Sequence, residues 1–122
     1  MKRIYRRDFE PQIENGINVI VCVIDNDEIC KNCIKELDEY SKTIPDNLNV
    51  KFSMYDVMMD VDINEKYEVS YPPYVIIFSD NKLINKFIYT TFDDFIQKFD
   101  LKLLTKINKK GQKTNEKDNS IC

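Results

Sequence analysis

From Ile17 to Ile24 the chain reads Ile-Asn-Val-Ile-Val-Cys-Val-Ile, nearly all of it apolar and most of it β-branched. Side chains branched at Cβ suit strands, and a strand without polar alternation has to be covered on both faces. The run is far shorter than the ~20 residues needed to cross a bilayer. It therefore reads as the central strand of a layered domain, with an element required on each side of it.

The flanking sequence supplies those elements. Arg3 to Tyr5 opens a short strand, and Asp8 precedes the i, i+4 apolar pair Phe9 and Ile13. With Pro11 near its first turn, this brief helix stops at Asn15-Gly16. After the central strand, Asp25-Asn26-Asp27-Glu28 offers N-cap residues and acids suited to a helix start. Ile29, Cys33, Leu37 and Tyr40 then share one helical face, widened by Ile34, and the helix ends near Lys42 to Ile44, ahead of Pro45. Asn49 to Tyr55 alternates Val50, Phe52 and Met54 with polar partners, which predicts a strand. Asp62 and Glu65 have the spacing of a capping box and introduce a short helix through Tyr67. Pro72-Pro73 leads into the apolar strand Tyr74 to Phe78, which Ser79-Asp80-Asn81-Lys82 turns back into a strand from Leu83 to Tyr89. Phe92, Phe95, Phe99 and Leu103, with Ile96 alongside, mark a closing amphipathic helix. The order β-α-β-α-β-α-β-β-α predicts an α/β fold, a mixed sheet with helices on both faces.

At 122 residues the chain fits one such domain, over residues 1–104. After Leu104 the apolar periodicity vanishes, and residues 105–122 read as a disordered basic tail. There Lys106, Lys109, Lys110, Lys113 and Lys117 face only Glu116 and Asp118, a charge of +3 that leaves −6 on residues 1–104 within a net −3. Such a balance argues against general nucleic-acid binding. Histidine is absent, which removes Cys–His dyads, Ser–His–Asp triads and histidine metal sites, and leaves thiols, carboxylates, lysines and tyrosines to carry any chemistry. Met1 to Glu10 carries Lys2, Arg3, Arg6 and Arg7 with no apolar run behind them, so no secretory leader is expected. In the cytoplasmic, reducing compartment this implies, cysteines are redox-active, metal-bound or buried more often than locked in structural disulfides. The bias toward Ile, Asn, Lys and Asp is that of an AT-rich coding genome, a virus included, in which case a virion or viral factory replaces the cytoplasm as the expected location.

Cys30-Lys31-Asn32-Cys33 falls at the start of the helix that follows the buried strand, and Lys66-Tyr67-Glu68-Val69-Ser70-Tyr71-Pro72-Pro73-Tyr74-Val75-Ile76-Ile77-Phe78 ends on a proline-led apolar strand. These two landmarks, in this element order, resemble thioredoxin over about residues 3–104. The resemblance implies a thioredoxin fold, with Pro73 at the position of the family's cis-proline, opposite the cysteines. It also implies that the backbone of Pro72 and Tyr74 is presented to an extended substrate segment, with Tyr74, larger than the family's usual residue, reshaping the groove. The chain departs from the family's pattern at Ile29, where a tryptophan is usual, and at Lys31-Asn32, where Gly-Pro is. The strand-to-motif connection is also longer, and the acid nearest the family's buried acid is Asp25.

A helix N-terminus offers unpaired N–H groups and about half a positive charge, both favouring an anion. Cys30, aided by Lys31, is therefore expected to be an exposed nucleophile with a lowered pKa. Cys33 lies within disulfide reach on the inward face and suits a shielded resolving thiol. The function expected is a thiol-disulfide oxidoreductase acting on protein disulfides. It needs no organic cofactor, works as a monomer, and requires disulfide or dithiol protein substrates and a recycling reductase or oxidase. The alternative is a redox-inert interaction module on the same scaffold. Cys22 reads as a core residue, Cys122 as an incidental tail thiol, and Met58-Met59 either as loop packing or as an apolar patch for a partner.

Overall fold

The structure, a computed structural model, describes residues 1–59 and 61–100. In chain order these form β1 (Lys2–Arg3), α1 (Arg6–Ile13), β2 (Ile17–Val23), α2 (Glu28–Ser41), β3 (Val50–Asp56), α3 (Val61–Lys66), β4 (Tyr74–Ser79), β5 (Lys82–Ile88) and α4 (Phe92–Lys98). The expected order is found element for element. A single turn of 3-10 helix at Asp46–Leu48, before Asn49 in the left-handed region, was not foreseen. Leu103 and the tail lie outside the described residues, as does Cys122.

The five strands form one sheet in the order β1-β3-β2-β4-β5. β2 is buried along its whole length, parallel to β3 on one side and antiparallel to β4 on the other. Its side chains alternate between two cores. Ile17, Val19, Val21 and Val23 face a layer made by α2 and α4, with Cys30, Cys33, Leu37, Phe95 and Phe99. Ile20 and Cys22 face the opposite layer, with Phe9 and Ile13 of α1 and Ile63 of α3. Each fully buried Val, Leu or Ile contributes about 1.5–3 kcal/mol, so this doubly covered strand accounts for much of the stability. Asn18, the polar exception, is satisfied: its amide donates to the Asn15 carbonyl at 3.0 Å and its oxygen accepts from Gln12 at 3.2 Å.

α1 begins at Arg6, two residues ahead of Asp8. Asp8 still caps it, but from inside the first turn, accepting the Tyr5 N–H at 3.0 Å. Pro11 consequently sits in the last turn, inside the helix. The turn before β2 requires a glycine at 16: its φ is +77°, and a Cβ there would stand 2.4 Å from the Asn49 side chain. The other end of that turn is pinned by Asp80, whose carboxylate accepts the Gly16 N–H at 2.7 Å. Asp80 and Asn81 both have positive φ, as the tight hairpin between β4 and β5 demands. Thr91 caps α4 by accepting the Asp94 N–H at 3.0 Å. Among the described residues no helix is long and apolar enough to cross a membrane.

Candidate functional site

β2 delivers the chain to one end of the sheet, where Ile24 to Asp27 turn it into α2. The Asp27 N–H donates to the Ile24 carbonyl at 3.2 Å, and Asn26 takes a left-handed conformation to close the turn. Asp27 is the N-cap, its carboxylate accepting the Cys30 N–H at 3.0 Å. The next strand end returns to the same place: Tyr74, first residue of β4, is paired with Cys22. Just before it the Pro72–Pro73 bond is cis, as the resemblance implies for Pro73, and the Pro73 carbonyl accepts the Tyr89 N–H at 2.8 Å. Tyr89 in turn packs in the core that holds Cys30 and Cys33. The two cysteines and the cis-proline are thus gathered at one end of the sheet.

Cys22, Cys30 and Cys33 are free thiols. Cys30 is not the exposed group expected, being only 2% exposed. The long Ile24–Asp27 connection folds over it, and the Ile24 N–H donates to its Sγ at 3.4 Å. The expected fall in its pKa is likewise reversed. Burial pushes the thiol up, the Ile24 N–H pulls it down, and the hydrogen bond and charge of Asp27 push it up again. The Lys31 ammonium stands 3.7 Å from the Glu28 carboxylate. Asn32 is exposed. Cys33 is shielded as expected and its thiol is pushed well up by burial, then by the facing charges of Cys30 and Glu36.

Three further expectations need correction. Ile29 is 67% exposed and leaves the buried face of α2, whose inward stripe is Cys30, Cys33 and Leu37. Tyr74 cannot reshape a groove beside the cysteines with its ring, because alternation along β4 turns it into the opposite core, with Cys22 and Phe9. Asp25 is not a buried acid: its side chain is 55% exposed and ion-paired with Arg3 at 2.6 Å. The acid buried at that end of the sheet is Asp56, which Arg3 also approaches, at 3.6 Å.

Sequence reasoning missed two residues that face the second thiol. Tyr89 is buried and its hydroxyl donates to Glu36 Oε1. Burial, the bond to Glu36 and the charges of Cys33 and Glu36 all push the Tyr89 phenol up. These two residues are 53 apart in sequence, and no local pattern links them. Asp27 was legible only as one of several capping types.

A shallow cavity of about 300 Å³ opens beside Cys30, between Ile24, Asn26, Lys31, Ile34 and Met54. A larger one of about 890 Å³ lies on the other face between α1 and α3, and no cysteine lines it. Met58 and Met59 are exposed, as a loop patch and not as core. Among the described residues no group of three or more Cys, Asp or Glu side chains is placed to hold a metal ion, and Cys22 is separated from the other two thiols by the sheet.

No protein-family model matches the chain, and no curated protein matches it in sequence. Solved structures do. The thioredoxin of Fasciola hepatica superposes with a TM-score of 0.70 at 20% identity, over 80% of this chain and 95% of that one. The oxidized mitochondrial thioredoxin 3 of Saccharomyces cerevisiae gives 0.70 at 24% identity, over 80% and 92%. A thioredoxin of Plasmodium falciparum gives 0.71 at 18% identity, over 87% and 98%. At these identities the likeness is one of architecture, and it agrees with the sheet order, the helix layers and the site at the sheet's end: this chain has the thioredoxin fold.

Proposed function

We propose that the chain is a thiol-disulfide oxidoreductase that acts on protein disulfides by cycling Cys30 and Cys33 between dithiol and disulfide. The observation that carries this reading is the placement of both thiols in the opening turns of α2, at the sheet end where cis Pro73 starts β4. The thioredoxin neighbours support it. In the cycle, the Cys30 thiolate attacks one sulfur of a substrate disulfide and expels the other as a thiolate. Cys33 then attacks the Cys30 sulfur, closing the internal disulfide and releasing the second substrate thiol. The substrate disulfide gains two electrons and the Cys30–Cys33 pair loses two. An extended substrate segment lies along the backbone of Pro72 to Tyr74, with Lys31 and Asn32 at its side. A separate reductase or oxidase returns the pair to its starting state.

Cys30 lacks the strong thiolate stabilisation that makes a dithiol an oxidant, which favours the reducing direction. The test is trapping. A Cys33→Ser variant should accumulate a mixed disulfide between Cys30 and a protein substrate, and Cys30→Ser should accumulate none. Absence of any Cys30 adduct would sink the proposal.

A second reading, the redox-inert interaction module, is favoured by one observation. Exposed Ile29, Met58, Met59, Val61 and Tyr71 all sit on segments that meet at this same end of the sheet. Under that reading Cys30→Ser leaves partner binding intact.

A further inference from the structure

The reaction proposed above brings Cys30 Sγ into contact with a substrate sulfur, and at 2% exposure a disulfide has no path to it. Part of its cover must therefore move. On one side is the packed core that holds Val23, Cys33 and Leu37. On the other is the Ile24–Asp27 turn, where Ile24, Asp25 and Asn26 are all exposed and Asn26 has a φ of +66°. Such a segment opens at far lower cost than a packed strand or helix. The turn is also one wall, from Ile24 to Asn26, of the cavity of about 300 Å³ that borders Cys30, so displacing it joins that cavity to the thiol.

The bonds that keep the turn in place are few. Within the turn and toward α2 there are the Asp27-to-Ile24 backbone bond, the Asp27 cap on the Cys30 N–H, and the Ile24 N–H on Sγ, a weak acceptor. Among the described residues, one side-chain polar bond carries it across to a strand: Arg3 Nη2 of β1 donates to Asp25 Oδ1 at 2.6 Å. The same guanidinium stands, through Nη1, 3.6 Å from Asp56 Oδ2. Asp56 is itself fixed, its Oδ1 accepting the Met58 N–H at 2.9 Å. The backbone of Arg3 is held by the pairing of β1 with β3, opposite Met54. One end of the Arg3 bridge thus rests on a carboxylate 8% exposed and the other on a carboxylate 55% exposed. Asp25 is the end that can let go.

We propose that the Arg3–Asp25 pair is a latch on the Ile24–Asp27 turn, and that its release uncovers Cys30 for reaction. Closed, the turn shields the thiol from chance oxidants and disulfides. Released, Asp25 moves into solvent while Arg3 stays with Asp56, and the adjoining cavity opens onto Sγ. An ion pair this exposed is worth little, so the latch tunes the open fraction by a few-fold and does not act as an all-or-none switch. Its role rests on the oxidoreductase reading above, but access to the thiol can be measured without turnover.

The probe is iodoacetamide, a neutral alkylating agent, applied to the reduced full chain, with each cysteine read separately by mass spectrometry. Arg3→Met and Asp25→Asn each break the pair, and each is expected to raise the alkylation rate of Cys30 about two- to fivefold. The double variant should match the singles, as for two halves of one contact. Charge acting on the thiol through space gives a different pattern, because loss of Asp25 favours the thiolate and loss of Arg3 disfavours it. Opposite signs in the two variants, or an unchanged rate in either, overturn the proposal. Cys22, fully buried in the opposite core, reports on unfolding of the whole domain. A Cys22 rate that climbs in step with that of Cys30 in Asp25→Asn means that the pair supports the fold and not the turn, and overturns the proposal too. A Cys33→Ser chain that captures no substrate, while both latch variants behave as expected, instead overturns the oxidoreductase reading and leaves the latch standing.

Discussion

The two faces of the sheet bury cysteines equally well and surround them differently. On the α1/α3 face, Cys22 is fully buried, and burial alone pushes its thiol up to about 12. On the α2/α4 face, Cys30 and Cys33 are almost as buried, yet each has a carboxylate at hand, Asp27 for one and Glu36 for the other. Burial by itself thus separates nothing. What differs is the polar surroundings: burial alone acts on Cys22, whereas Asp27 and Glu36 also act on Cys30 and Cys33. The cavities make the same point: the larger lies on the Cys22 face and contains no thiol, and the smaller borders Cys30.

The largest effect that would break this comparison is on turnover. Cys30→Ser should reduce disulfide reduction to background in an insulin or peptide-disulfide assay, and Cys22→Ala should retain it. Equal losses in the two variants would mean that the faces are not functionally distinct. Next in size is stability. Phe95, fully buried and 6.1 Å from the Tyr89 ring, and Phe9, its counterpart on the other face, should each cost about 3–5 kcal/mol on replacement by alanine, read by denaturant unfolding. The comparison sharpens in the activity of the folded fraction, which should fall for Phe95→Ala only, because Phe95 braces the Tyr89 side of the site.

Gly16→Ala tests the turn that leads into β2. Its positive φ and the close approach of Asn49 predict a loss of more than about 1 kcal/mol in denaturant unfolding, with no change in the activity of the folded fraction. The smallest expected effect is on pH dependence. Cys22 and Cys33 both have folded pKa values above their ordinary 9.0, so between that value and the folded one the native state binds more protons than the unfolded chain. The contribution of these thiols to stability is therefore level below pH 9 and lost as pH rises toward about 12, the value of Cys22. Cys22→Ala should flatten part of that alkaline slope in thermal melts taken across the range.

Much of this architecture could be read from the residues because its signals are local. The Ile17–Ile24 run, the Asp80-Asn81 turn and the Phe92-Phe95-Phe99 spacing each specify an element within a few positions. The cysteine pair was legible in the same way, and Pro73 through its resemblance to the proline-led strand. What could not be read depends on direction and distance. Tyr74 to Phe78 is apolar on both faces, so the sequence carries no sign of which face takes Tyr74. Cys30 and Ile29 are adjacent at the helix start, and only the path of the Ile24–Asp27 turn decides that the thiol is covered and the isoleucine is not. Asp25 lies close to the motif in sequence, but Arg3, drawn in by the pairing of β1 with β3, turns it outward. Glu36 and Tyr89 meet only because β5 ends beside α2, a long-range closure that no window of residues contains.

The central claim is that Cys30 and Cys33 form a working redox pair. A titration of the purified chain against glutathione and dithiothreitol buffers, with the pair's state read by thiol trapping and mass spectrometry, tests it most directly. The account predicts a reversible two-electron transition between about −270 and −120 mV, toward the reducing end because Cys30 gains little thiolate stabilisation. A pair that never closes, or one locked below about −300 mV, would contradict it.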